Sequence, residues 1–171
     1  MLREKNRLAA LLIMAVSLSA CGGWDLRGVR TQELGIKSVY LIAQTAPELQ
    51  RWVAQELRYS GVMLGRKTDS QIVIELTDES FDRRVISVDP DNGKVREVEL
   101  GLEVTMSVRS KDGKLLIAPE KRSWVQDYVF DETSLLGTTE RAKIIERELA
   151  QDAAQTILLR LETLEIAPPA T

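Results

Sequence analysis

One stretch of this chain alternates more strictly than any other. Val98, Leu100, Leu102, Val104, Met106 and Val108 fall on one side, and Glu97, Glu99, Gly101, Glu103, Thr105 and Ser107 on the other. A period of two over this length predicts a strand in a sheet with one buried and one polar face. Upstream, Ile72, Ile74 and Leu76 alternate with Val73, Glu75 and Thr77, and the pattern resumes from Phe81 to Val88. The run Asp89-Pro90-Asp91-Asn92-Gly93 between them predicts a tight turn, because Asn-Gly tolerates positive φ. Lys111-Asp112-Gly113-Lys114 predicts a second turn. A last strand follows over about 115–131, with a break expected at Pro119, which cannot donate to a ladder. An earlier strand is predicted over Ile36 to Ile42, a run rich in β-formers.

The periodicity changes in two places. Leu49, Trp52, Val53 and Leu57 recur at helical spacing, with Pro47 suited to the first turn, Thr45 or Ala46 to the cap, and Gly61 to a left-handed stop. A longer helix is predicted over about 139–161. Ile145, Leu149, Ala153, Ile157 and Leu161 make its apolar stripe, and its length is about 33 Å. The order strand, helix, three antiparallel strands, helix predicts an α+β fold. It is a two-layer sandwich, with a four-stranded, mostly antiparallel sheet and two helices on one face, over residues 36–164. With Asp112 at the turn centre, Glu103 is expected to face Lys121 across the second hairpin. Residues 165–171, with Pro168-Pro169, are expected to form a flexible tail.

The first 35 residues follow neither pattern. Arg3, Lys5 and Arg7 precede an uncharged apolar run from Leu8 to Val16, too short for a stable span of roughly 20 apolar residues. This is the arrangement of a secretory signal peptide, expected over residues 1–20. Leu18-Ser19-Ala20-Cys21 matches the lipobox of bacterial lipoproteins at every position. Small residues at 19 and 20 let a signal peptidase bring backbone close to the acylated cysteine. The Cys21 thiol takes a diacylglycerol, and its freed amine a further acyl chain such as palmitate. At about 0.8 kcal/mol per buried methylene, two or more chains give stable anchoring. Lipidation also explains a lone cysteine in an exported chain. Gly22 and Gly23 stand where inner-membrane lipoproteins commonly carry Asp, so the expected location is the outer membrane, anchored from the periplasmic side. Residues 21–35 then form the tether.

Composition removes several functions. The whole chain carries 23 basic and 26 acidic residues. With Arg3, Lys5, Arg7 and Glu4 removed, residues 21–171 hold 20 and 25, net −5, which argues against non-specific nucleic-acid binding. There is no histidine, so the commonest general base and metal ligand are missing together. No cofactor or metal is expected, and no enzymatic activity.

Gly61 to Thr68 echoes a phosphate loop, but Arg66 stands where glycine must precede the lysine; a helix cap leading into a strand explains it. Asp89, Asp91 and Gly93 echo a calcium loop, but the glycine is one place early and Leu100 occupies the twelfth position. Glu97, Glu99 and Glu103 can be read as catalytic carboxylates or as a solvated sheet face, and the second explains them with less. Arg83, Arg84, Lys94 and Arg96 flank the first hairpin, and Arg109, Lys111, Lys114, Lys121 and Arg122 the second. Such clusters can hold phosphates through bidentate donors or simply solubilise strand ends.

Several stretches, in order, resemble one family. Cys21-Gly22-Gly23-Trp24-Asp25-Leu26-Arg27 is similar to the opening of the lipopolysaccharide-assembly lipoproteins, LptE, with one extra glycine. Leu57-Arg58-Tyr59-Ser60-Gly61-Val62 resembles the end of that family's first helix, and Arg122-Ser123-Trp124 the start of its last strand. Ile144 to Leu161, with Glu148-Leu149, Asp152-Ala153-Ala154 and Arg160-Leu161, resembles its final helix. The resemblance implies two helices on a four-stranded sheet. It also implies a place as a plug inside the outer-membrane β-barrel LptD, and a role in barrel assembly and in delivering lipopolysaccharide to the cell surface. It implies that the protein binds lipopolysaccharide itself, for which Arg83, Arg84, Lys94, Arg96, Lys111 and Lys114 are the candidate residues. A tethered lipid-binding scaffold and a carboxylate-based envelope hydrolase are the alternatives, the second weakened by the absence of histidine.

Overall fold

The computed structural model describes residues 35–164. The expected signal peptide, Cys21, the expected tether as far as residue 34 and the expected tail from residue 165 lie outside the described residues. The chain forms strand β1 (Ser38–Ile42), helix α1 (Pro47–Tyr59), a short strand β2 (Met63–Leu64) and three long strands, β3 (Ile72–Val88), β4 (Val95–Ser110) and β5 (Leu115–Val129). A 3₁₀ turn (Glu132–Ser134) leads into helix α2 (Leu135–Glu162).

The alternation in β4 sorts its residues as expected. Val98, Leu100, Leu102, Val104, Met106 and Val108 are all buried, together with Ile72, Ile74 and Leu76 of β3. They meet Leu49, Val53 and Leu57 of α1 and the Ile145, Leu149, Ala153, Ile157, Leu161 stripe of α2 in one core. The two helices pack against each other on this face. Ala150, Ala153 and Ala154 are buried in α2, where small side chains allow close approach. The other sheet face carries no helix of the described residues.

The sheet has five strands rather than four, in the order β2-β1-β3-β4-β5. It is mixed: β1 is parallel to both β2 and β3, while β3, β4 and β5 are mutually antiparallel. The extra strand arises because Gly61, at φ +75, stops α1 and turns the chain back beside β1, where Met63 N–H donates to the Lys37 carbonyl at 3.0 Å. Two residues are too few to show an alternation, so the pattern along the chain is silent there.

Two further differences concern continuity. The predicted gap between Thr77 and Phe81 is a bulge inside a single 17-residue strand. It centres on Asp78, whose φ of 58 is rare for a residue with a side chain. This bulge supplies the α1 cap. Ala46 has no capping side chain, and Thr45 instead accepts from Asp78 N–H at 3.1 Å. Glu79 takes the helix end, accepting Leu49 N–H at 2.8 Å and Glu48 N–H at 3.1 Å. A carboxylate there satisfies two free donors and complements the helix dipole. Helix α2 begins earlier than predicted, because the Thr138 hydroxyl donates to the Asp131 carbonyl and folds Gly137 into the first turns. Its 28 residues span about 42 Å.

The second hairpin tests the expected register. Glu103 lies directly opposite Ser123, and Lys121 opposite Thr105. Glu103 and Lys121 are nonetheless on the same face, one diagonal apart, and they form an ion pair. Register shifts between Met106 and Val108, and between Val108 and Arg109, move the partner by two residues. Pro119 lies in the first of them, so the expected break is a bulge in a strand that continues.

Candidate functional site

Directly opposed residues in an antiparallel pair share a face. Arg83 lies opposite Leu100 and Arg84 opposite Glu99, so these neighbours in sequence point to opposite sides of the sheet. Arg84 reaches Glu99 on the uncovered face at 2.7 Å. Arg83 turns to the helix side, with its guanidinium 5.0 Å from the centre of the Phe130 ring, within cation–π range. Arg83 has no acidic partner among the described residues.

Around Arg83 the sheet runs on beyond α1, with α2 alone beside it. Phe81, Leu100, Tyr128 and Phe130 on the strands and Thr138, Ala142 and Glu146 on α2 line a cleft of about 360 Å³. A second groove, of about 510 Å³, lies beyond it between Val88, Val95, Arg96, Val129 and Phe130. Val85, Val88 and Val129 are at least half exposed here, where the β3–β4 register shifts on either side of Ser87. This far end of the sheet thus combines exposed guanidinium groups with aromatic and aliphatic surface. Such a surface can accept an amphiphile: anionic groups on Arg83 and Arg96, hydrocarbon on Phe81, Val88 and Phe130.

The remaining candidates divide. Lys94 is at the same end, but its ammonium is held by Glu132 at 2.8 Å. The hydrogen bond and charge of Glu132 raise its pKa above the ordinary 10.5. Lys111 and Lys114 sit in the β4–β5 turn at the opposite end of β4, roughly 50 Å from Arg96 along the strand at about 3.4 Å per residue. The six basic candidates therefore do not form one site. Arg83 and Arg96 line two neighbouring grooves that share Phe130, Lys94 is held by Glu132 at the same end, Arg84 faces away, and the two turn lysines are remote.

Glu97, Glu99 and Glu103 line the uncovered face as a solvated row. Glu99 pairs with Arg84, Glu103 with Lys121, and Glu97 accepts from the Ser87 hydroxyl at 2.7 Å. Asp89 spends its carboxylate on Asp91 N–H at 2.9 Å within the turn, and Asn92 accepts from Lys94 N–H, with Gly93 at φ +70. Among the described residues no group of histidine, cysteine and carboxylate side chains is placed to hold a metal, and no helix is long and apolar enough to cross a membrane.

A family model, described as LptE, lipopolysaccharide-assembly, matches residues 36–161, from the approach to β1 to the end of the α2 stripe. The chain belongs to the LptE family. The sandwich also matches rare lipoprotein B from Shewanella oneidensis, at 26% identity and a TM-score of 0.64, over 73% of this chain and 93% of that one. A minor lipoprotein from Acinetobacter baumannii matches at 23% identity and TM-score 0.63, over 78% and 98% of the two chains. Lipoprotein B from Nitrosomonas europaea matches at 18% and 0.66, over 76% and 86%. The last two speak to the fold alone. No curated relative matches the chain. Within this LptE-family sandwich, the cleft aromatics were the residues that reasoning from pattern missed. One signal for them exists: the chain has only two phenylalanines, and both line the cleft at the far end.

Proposed function

We propose that this LptE-family lipoprotein is exported by residues 1–20, acylated at Cys21, and held at the outer membrane from the periplasmic side. There it works as a non-enzymatic plug within an LptD-type β-barrel, assisting assembly of the barrel and passage of lipopolysaccharide to the cell surface. The observation that carries this reading is the family match over residues 36–161, which takes in every strand and nearly all of both helices. The surface supports it: a core closed by two helices is stiff, and a sheet face of paired charges suits a wet lumen. The lipopolysaccharide contact belongs at the far end. Arg83 and Arg96 meet phosphate there, Phe81, Val88 and Phe130 meet acyl chain, and Lys94 lies beside them. Arg84, Lys111 and Lys114 lie outside that contact.

The test is purification by a C-terminal tag from gently solubilised outer membrane. A large β-barrel protein in a ratio of about one to one, together with lipopolysaccharide, is the expected result. Recovery of lipopolysaccharide without any barrel would overturn the plug and leave a free-standing lipid-binding lipoprotein.

A further inference from the structure

The last strand of an open sheet leaves half of its backbone groups unpaired, and this sheet ends on two very different strands. On one side β2 is two residues long, too short to template another strand. On the other, β5 has 15 residues. Its near end, by the β4–β5 turn, is blunted: the register shifts between Met106 and Val108, Pro119 lies there, and Lys121 follows. The rest is left open. From Glu97 opposite Val129 to Met106 opposite Glu120 the pairing keeps one register. Residues 123–129, Ser-Trp-Val-Gln-Asp-Tyr-Val, hold no proline, lysine or arginine.

One bond shows which backbone groups are free. Phe130 N–H donates to the Arg96 carbonyl at 2.8 Å, so it points at β4. Directions alternate along an antiparallel strand. Trp124, Gln126 and Tyr128 therefore turn their N–H and C=O groups to β4, and Ser123, Val125, Asp127 and Val129 turn theirs outward. The side chains of these four are exposed, on the sheet face that carries no helix of the described residues. Helix α2 is held by the alternate residues: Trp124 Nε1 donates to the Thr156 hydroxyl at 3.4 Å, and Gln126 Nε2 to Glu148 at 3.2 Å.

The side chains say what kind of strand fits. Val125 and Val129 are 60% and 71% exposed. Between them Asp127 lies opposite Glu99, whose charge is taken by Arg84 at 2.7 Å. Asp127 itself has no ion pair among the described residues. The row Arg84, Glu99, Asp127 thus lacks a cation at its open end. Outward N–H and C=O groups at strand spacing are matched in full by another extended backbone, and not by a lipid.

We propose that β5, from Ser123 to Val129, accepts an added strand from a partner protein. Its side chains run apolar, basic, apolar opposite Val125, Asp127 and Val129. The source of that strand rests on the plug reading: it is a loop or terminus of the enclosing barrel, because wall strands of a closed barrel have no free edge to offer. Such pairing fixes the rotation of the plug in the lumen and leaves the Arg83 cleft, on the helix side, free.

The test uses the Cys21→Ser chain, which takes no lipid, and the peptide acetyl-Thr-Val-Thr-Lys-Thr-Val-Thr-amide, which reads the same in either direction. Amide hydrogen exchange is followed residue by residue. In the free chain Ser123, Val125, Asp127 and Val129 are expected to exchange at once, and Trp124, Gln126 and Tyr128 slowly. Saturating peptide is expected to slow the first set by roughly tenfold or more. A peptide with Glu in place of Lys is expected to bind about fivefold more weakly, and Asp127→Lys to reverse that preference. Val125→Pro removes an outward donor without touching the β4 ladder and is expected to weaken binding about tenfold; if that variant fails to fold, Asp127→Lys carries the test. Outward amides that stay unprotected with peptide, or equal binding of both peptides, would overturn the proposal. So would outward amides already slow in the free chain, which would give the edge to a segment of this chain, or slow only at high protein concentration, which would give it to a second copy. A photoreactive residue at Val125, in protein purified from the outer membrane, is expected to link to a loop or terminus of the co-purified barrel. A barrel recovered without that link would overturn the choice of occupant. No barrel at all would overturn the plug reading, while the exchange experiment still decides the pairing.

Discussion

The two ends of the same long strands are built on opposite terms. At the near end, β3, β4 and β5 lie under both helices, and Ile72, Ile74, Leu76 and Val108 are fully buried. Past the bulge at Asp78 the strands run on without α1, and Val85 and Val88 face solvent by half. Cations gather at both ends. Near the start of β1 they stand on an exposed rim, without an ion pair among the described residues. At the far end Arg83 leans on Phe130 in a cleft, suited to a ligand with both charge and hydrocarbon. Counting lysine and arginine would treat these ends alike. What covers the strands makes them different.

The contrast is broken most strongly through the core. Ile74→Ala removes a fully buried side chain, and a loss of about 2–5 kcal/mol in unfolding free energy is expected. Val88→Ala at the overhang is expected to cost no more than about 0.5 kcal/mol. Urea unfolding of both variants measures the difference, and equal losses would show that the far end is packed in solution. Glu79 marks the border between the two regimes. Glu79→Ala leaves two α1 donors without their carboxylate and is expected to cost about 1–2 kcal/mol. Glu79→Gln should recover part of that, and an Ala variant as stable as the parent would remove the cap.

Ligand binding sharpens the comparison at lower energy. Arg83→Ser with Arg96→Ser is expected to weaken lipopolysaccharide binding by roughly tenfold, about 1.4 kcal/mol, with unfolding nearly unchanged. Lys111→Ser with Lys114→Ser should leave it within about twofold; the reverse ranking would move the site to the turn. The smallest effect concerns Lys94. Its pKa is raised in the folded chain by the hydrogen bond and charge of Glu132. Its contribution is therefore complete at neutral pH and is lost only as pH rises beyond 10.5 through the folded value. Lys94→Met should flatten the alkaline limb of the stability curve slightly and leave the acid limb alone.

Much of this protein follows from the sequence by itself. Period-two and helical spacings locate three long strands and two helices, because alternation and a 3.6-residue turn are local properties of the backbone. The covering of one face follows too, since only that face of β4 is apolar. A local pattern cannot count inserted residues. One extra residue at a bulge changes the opposing partner and re-aims every side chain beyond it. Tertiary structure therefore decided that Lys121 meets Glu103 on a diagonal, that α1 is capped by Glu79, and that Arg83 and Arg84 part to opposite faces. It also decided that a two-residue strand extends the sheet and that both phenylalanines meet at one end. Each is a relation between segments far apart in the chain, set by which surfaces the helices reach and where the strands outrun them.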